Sequence, residues 1–409
     1  MPDEALDGMR VLDLTSGVSG PYATKLLADH GADVLKVEPP SGDPSRAYGP
    51  FLRHEPHPEG SARFLVLNTN KRTITLDLDH AEAQEIVRRL AADVDVVLED
   101  FDPGRIAELG LGYDVLEQGR PGVVLVSITP WGQSGPYVDY RQTDIVVQAM
   151  GGPMLWTGSD QREPTKLGGE LAMYQAGSVA ALATMMAFYR QELTGEGDHI
   201  DLSIFETQIG SRDRAAPYLT AHGYNGVEPK RHASGMTMAS GVRPAQDGYI
   251  NLSAAGGSRL TGFLEMIGRE ELIGDERLAG PATLVDPEVV ADVEASYLGW
   301  LMQRTKHDAV AEGQQAHALA GAINTPEDLI ADPHYRGRGV WETIDHPHTG
   351  PVEYPGRPFV LSETPRAPAE RAPMLGEHSD EVLESLGFDA EARDSLRARG
   401  VVDAPARSD

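Results

Sequence analysis

Over its first hundred residues the chain alternates short β-branched runs with stretches of helical periodicity, and this order constrains the fold more than any other feature. Strands separated by helices run parallel, and a parallel sheet must be covered on both faces. Arg10 to Leu14 reads as a strand, followed by the turn Ser16-Gly17-Val18-Ser19-Gly20, a helix from Pro21 to about His30, and a strand from Asp33 to Val37. Thr73 to Leu78, a helix from Ala81 to Ala92, and Val94 to Leu98 repeat the scheme. Val123 to Ile128 adds a strand closed by the turn Thr129-Pro130-Trp131-Gly132. The predicted class is α/β with a largely parallel sheet.

From Gly168 the texture changes. Tyr174 to Arg190 is predicted as one long helix rich in small residues, suited to burial between a sheet and another layer, and Ile200 to Ile204 as the next strand. Residues from Ala216 to Met238 read as a polar, loop-like linker. A smaller α/β unit is expected from Val242 to Asp332, opening with the strand Tyr249 to Ser253 and the turn Ala254-Ala255-Gly256-Gly257. His334 to Pro373 reads as extended chain, and Ser379 to Arg399 as helical.

With 409 residues the chain exceeds what one core usually fills, so two lobes are expected. A formal charge of −28 repels nucleic-acid phosphates and anionic lipid, so neither is an expected partner, and an anionic ligand needs a local positive patch or helix N-termini. The absence of cysteine removes disulfides, thiolate metal sites and a cysteine nucleophile. Met1-Pro2-Asp3-Glu4 lacks the start of a secretory signal, and the apolar run Val179 to Tyr189 falls short of the roughly 20 residues that span a bilayer. A cytoplasmic protein is expected.

Generic motifs offer little chemistry. The turn at Gly17 to Gly20 lies between strand and helix, but the full G-x-G-x-x-G is absent, which weakens a nicotinamide-dependent reading. There is no G-x-x-x-x-G-K-[ST], and neither Gly132-Gln133-Ser134-Gly135 nor Gly17-Val18-Ser19-Gly20 is a G-x-S-x-G elbow. The histidines His54, His57, His346 and His348 sit in Pro-rich segments without an obvious third ligand and read as solvated turn residues, so no metal site is expected.

Several segments, taken in order, resemble the class III coenzyme A transferase family, the group of formyl-CoA transferase, carnitine CoA-transferase and α-methylacyl-CoA racemase. They are Gly8-Met9-Arg10-Val11-Leu12-Asp13-Leu14, Gly20-Pro21-Tyr22-Ala23, Gly31-Ala32-Asp33-Val34-Leu35-Lys36-Val37-Glu38-Pro39, Leu67-Asn68-Thr69-Asn70-Lys71-Arg72 and Pro103-Gly104. Later come Gly132-Gln133-Ser134-Gly135-Pro136-Tyr137, Thr194-Gly195-Glu196-Gly197, Ala331-Asp332-Pro333-His334 and Leu375-Gly376-Glu377-His378-Ser379. The resemblance implies a large Rossmann-like lobe (residues 1–215), a linker (216–240), a smaller α/β lobe (241–332), and a return segment (333–409) whose extended chain and helices complete the large lobe. It also implies an interlocked dimer, with acyl-CoA and a carboxylic acid as substrates and no tightly bound cofactor.

Transferases of this family use one aspartate, which attacks the acyl thioester to give a mixed anhydride and is then attacked by the released CoA thiolate. That aspartate begins the central helix four residues before a glycine. Here the glycine is matched by Gly177, so Met173 stands at the nucleophile position, and a thioether cannot form an anhydride. Three readings follow: Glu170 substitutes for the aspartate; a homologous partner chain supplies it, as in transferases built from two related subunits; or the chain performs isomerase, racemase or lyase chemistry on acyl-CoA that needs no anhydride. A helix-end charge with no catalytic part is the alternative for Glu170.

The resemblance also carries CoA contacts. Gly17, Val18 and Ser19 match the loop that approaches the pantetheine; Lys71 matches a basic position near the nucleotide phosphates, and Phe101 an aromatic near the adenine. Arg46 and Arg105 are further phosphate candidates by charge, whereas Pro39 and Glu108 stand where some transferases place arginines. Gly256 and Gly257 resemble the glycine loop that closes over the intermediate. Asp144, preceded by Thr143 where racemases of the family carry histidine, reads as structural.

Overall fold

The structure is a computed structural model that describes residues 4–159, 161–210, 215–226, 238–254, 257–278, 286–364 and 367–402. The chain divides into two compact units, one drawn from Met1–Met154, Lys166–Glu228 and Gly339–Asp409, the other from Leu155–Thr165 and Pro229–Arg338.

The first unit is built on six parallel strands: β1 (Arg10–Leu14), β2 (Asp33–Glu38), β3 (Lys71–Thr75), β4 (Val96–Glu99), β5 (Val124–Thr129) and β6 (Asp198–Ser203). Their order across the sheet is β3-β2-β1-β4-β5-β6. Val11 lies opposite Val34 and Val96, and Leu12 opposite Leu35 and Val97. Because side chains alternate along a strand, each register row goes to one face. Leu12, Leu35, Val97 and Leu125 pack beneath the helix Ala81–Ala91 together with Leu383, Leu396 and Val401 from the end of the chain. Val11, Val34, Val96 and Val124 pack on the other face against Ala23 and Leu27 of the helix Ser19–Ala28 and Ala172, Ala176 and Ala180 of the helix Leu171–Thr194.

That central helix runs 24 residues, longer at both ends than the sequence pattern predicts, and by length and composition it is apolar enough to cross a membrane. One face is buried in the core described above. The opposite face, expected to be covered by a second layer, leaves Leu182, Met186, Tyr189 and Leu193 more than half exposed in the single chain. Gly177 is required by close approach: a Cβ there would sit 2.5 Å from the Ser19 carbonyl oxygen.

In the second unit, β7 (Ser240–Ala245), β8 (Gly248–Ser253) and β9 (Leu319–Ala322) form an antiparallel sheet in that order. Ile250 and Leu252 of that sheet pack with Val293, Tyr297 and Leu301 of the helix Pro287–Leu301. Two expectations are corrected. Residues read as loop at the start of the linker form the helix Ala215–Asn225. The segment read as extended chain holds β10 (Trp341–His346) and β11 (Gly350–Pro355), which pair as a hairpin of the first unit. The hairpin buries His346, against its reading as a solvated turn residue, whereas His54, His57 and His348 are exposed as that reading has them, His348 stacking on His57 with ring centroids 4.0 Å apart. Among the described residues no group of three His, Cys, Asp or Glu side chains is placed to hold a metal ion.

Candidate active site

In a doubly wound sheet the ligand crevice opens at the carboxyl ends of the strands where the connections change direction. Here that point lies between β1 and β4. The loop after β1, Ser16 to Ser19, and the loop after β4, Asp100 to Pro103, form one wall of a cavity of about 770 Å³. Residues 138–144 also line it, with Glu170 and Met173 at the start of the central helix. A second cavity of about 360 Å³ lies beside it, lined by Pro39, Leu78, Phe101 and Leu109 with Arg105 and Asp79. Ser16, Asp100 and Phe101 line both, so the two spaces meet there.

The β1 loop rests on a buried ionic layer. Asp13 pairs with Lys71 at 3.2 Å, Lys36 with Asp43 at 2.9 Å, and Arg46 with Glu38 at 2.7 Å and Glu59 at 2.9 Å. Asp43 accepts the Gly17 N–H at 3.2 Å, and Lys36 donates to the Thr15 carbonyl at 2.7 Å, which ties the loop down. Gly17 itself adopts φ +73°, a left-handed conformation that favours glycine. Burial works against charge on Asp13, yet Lys36 and Lys71 outweigh it and hold the carboxyl well below the usual range. Burial lowers Lys71 to about 8, with Asp13 opposing the shift and Lys36 adding to it.

Two sequence expectations are overturned by this layer. Lys71 is not available to a phosphate, because its ammonium donates to Asp13, the Pro21 carbonyl and Asn68 and is fully enclosed. Arg46 is likewise committed to Glu38 and Glu59 and lies over the Phe64 ring. Arg105 stays at the rim of the smaller cavity, paired with Asp79 and Glu108. Gly17, Val18, Ser19 and Phe101 all line the larger cavity. Gly256 lies outside the described residues, and Gly257 begins the helix Gly257–Met266 of the second unit with φ +58°.

At the start of the central helix, Met173 is buried and its sulfur accepts the Ser19 hydroxyl at 3.5 Å. Glu170 makes no capping hydrogen bond; its carboxylate forms a two-point pair with Arg63, at 2.9 and 3.3 Å. Capping falls to Asp144, which accepts the Ala172 N–H at 3.1 Å and is held by Lys166 and Gln148. Its part is therefore to orient the helix end. Asp100, Arg63 and Arg141 also line the cavity and were not found from sequence. The position of Asp100, directly after a strand beside the crossover point, was a usable signal; Arg63 and Arg141 carry none.

Sheet order, crevice and adjoining cavities define a doubly wound α/β protein with two connected spaces at its topological switch point. The family model "CoA-transferase family III" matches residues 6–379. The chain is 30% identical over 402 residues, covering 96% of it and 97% of the relative, to succinyl-CoA:(R)-benzylsuccinate CoA-transferase subunit BbsE of Thauera aromatica. It is 31% identical, covering 98% and 99%, to succinyl-CoA–D-citramalate CoA-transferase of Chloroflexus aurantiacus. A crystal structure of a CAIB/BAIF family protein from Brucella suis superposes with a TM-score of 0.80 at 32% identity, covering 94% of this chain and 100% of that one. The chain belongs to CoA-transferase family III.

Proposed function

We propose that this chain binds the acyl-CoA of a CoA-transferase reaction and works with a homologous second chain that supplies the nucleophilic carboxylate. The observation that carries the reading is Met173 in the cavity wall, its sulfur facing the Ser19 hydroxyl where the family's aspartate stands. The two-point pair with Arg63 stabilises the Glu170 charge and occupies both of its oxygens, which opposes attack on a thioester. Among the relatives, one is named as a subunit and another, at 30% identity, as the beta subunit of succinyl-CoA–L-malate CoA-transferase of Chloroflexus aurantiacus. The assembly we infer is an interlocked dimer of this chain with its homologue in the cytoplasm. The adenine then lies in the smaller cavity against Phe101, and the thioester in the larger.

Two measurements test this. The purified chain alone is expected to exchange no CoA between a thioester and a free acid, and mixing it with a homologue carrying aspartate at the matched position is expected to start the exchange, with Glu170→Gln making no difference. Exchange by the chain alone that disappears in Glu170→Gln reverses the assignment and makes Glu170 the nucleophile.

The acid we infer is a dicarboxylic acid. Arg141 lines the larger cavity, and no ion pair engages its exposed guanidinium among the described residues. A charge-assisted hydrogen bond contributes about 1.5–3 kcal/mol, so Arg141→Ala in the assembled enzyme should raise KM for succinyl-CoA about tenfold or more. Butyryl-CoA, which has no second carboxylate, should be unaffected; equal losses on both substrates remove the assignment.

A further inference from the structure

Among the described residues Asp100 is the one acidic side chain that lines both cavities, and it belongs to none of the ion pairs of the layer beneath. Its Oδ2 accepts the Ser16 N–H at 2.8 Å. That interaction assigns Oδ2 the acceptor role and leaves Oδ1 without a hydrogen-bond partner among the described residues. The groups facing it are Lys36 on β2, Asp13 on β1 and Asp43 in the loop after β2. Lys36 is already engaged by Asp43 and the Thr15 carbonyl, and Asp13 is already matched by Lys71, so none of these facing groups is a free cation to balance a charge on Asp100.

We propose that Asp100 is a neutral carboxylic acid whose O–H donates to a carbonyl of the pantetheine arm where the arm passes from one cavity to the other. This rests on the acyl-CoA reading above. A CoA thioester presents amide and thioester carbonyls along that arm, all acceptors, and a carboxylate at the same place has nothing to donate. The electrostatics agree: burial pushes the carboxyl well above the usual range, Ser16 and Lys36 oppose this only in part, and Asp43 and Asp13 add to it. In a chain carrying −28, a neutral acid also holds the ligand without adding repulsion toward its phosphates. The donor is lost when the pH rises above the raised value, so the affinity for CoA falls on the alkaline side.

The test is calorimetric titration of the full chain with unacylated CoA, from about pH 6 to about pH 9, in wild type, Asp100→Asn and Asp100→Ala. Wild-type affinity should fall about tenfold per unit above the carboxyl's own pKa. Asp100→Asn keeps a donor and should bind tightly with only the pH dependence of CoA itself, and Asp100→Ala should bind about tenfold more weakly throughout. Identical pH profiles in wild type and Asp100→Asn, or full affinity in Asp100→Ala, overturn the assignment while leaving CoA binding intact. Absence of CoA binding by wild type at every pH overturns the acyl-CoA reading and this inference together. Carboxyl ¹³C titration of the ligand-free chain, with Asp100→Asn identifying the resonance, gives an independent readout: an ionised Asp100 at neutral pH sinks the proposal even where the alanine variant does not fold.

Discussion

Met173→Asp is expected to turn the isolated chain from inert to active, with a gain in CoA exchange of at least about 10³-fold, the scale on which removing a nucleophile lowers turnover in other covalent enzymes. The site is otherwise prepared for an acid. Residue 173 lies in the first turn of the central helix, where the dipole favours a negative charge, and the Ser19 hydroxyl already points at its side chain. Asp144 holds the neighbouring Ala172 N–H, so the helix end needs no rearrangement. Aspartate is shorter than methionine and leaves space for the thioester carbon. The new carboxylate would attack that carbon, expel the CoA thiolate and hold the acyl group as a mixed anhydride until the thiolate returns to the enzyme carbonyl and the free acid departs. Hydroxylamine trapping of the enzyme-bound thioester would detect the intermediate, with Met173→Asn as the inactive control. A stably folded Met173→Asp protein without exchange or trapping would show that more than the nucleophile separates this chain from a complete transferase.

Removing the Lys71 ammonium is expected to cost about 3–5 kcal/mol of stability, because it strands a buried carboxylate. Lys71→Met leaves Asp13 with Lys36 as its remaining nearby cation and strips a donor from the Pro21 carbonyl and from Asn68. The expected readout is a large fall in the urea midpoint; in the double variant Asp13→Asn/Lys71→Met the loss should be smaller than the sum of the two single losses, since the pair acts as one unit. The acid side supplies a second check. The folded-state pKa of Asp13 is depressed, so its contribution is present above the ordinary carboxylate range and is lost as the pH falls below it. Asp13→Asn should accordingly be less stable at neutral pH and lose less than wild type on acidification. A shift in midpoint within error for Lys71→Met would mean that the layer beneath the β1 loop contributes little to stability.

What the sequence reveals and conceals follows from the range of the forces involved. β1 is found at its observed bounds because a strand buried on both faces of a parallel sheet leaves a short, nearly continuous apolar run in the sequence. β3 is misplaced: the pattern starts it at Thr73, whereas it begins at Lys71, a lysine buried by a carboxylate 58 positions away. The same long-range pairing misleads the reading of Lys71 and Arg46 as phosphate ligands. An unpaired lysine and a paired one look identical in sequence, and only the fold supplies the partner. The helix read from Tyr174 starts three residues late, and only the resemblance, through the match at Gly177, puts Met173 at its head; the structure has Met173 in the first turn and Glu170 just before it, with Gly177 fixed by its contact with Ser19. His346 escaped detection because its burial depends on a hairpin whose turn residues look like any other Pro-rich loop.

The first unit's core takes Leu383, Leu396, Val401 and Val402 from the far end of the chain, and Asp77 donates its N–H to the Val401 carbonyl. During translation these residues are made after the strands they cover. The nascent sheet therefore waits with one apolar side open while the second unit emerges and can close its own core first. Deleting only the helix Ala390–Ala398 should leave all six strands' sequence in place and yet yield aggregated protein, which makes this segment a folding checkpoint.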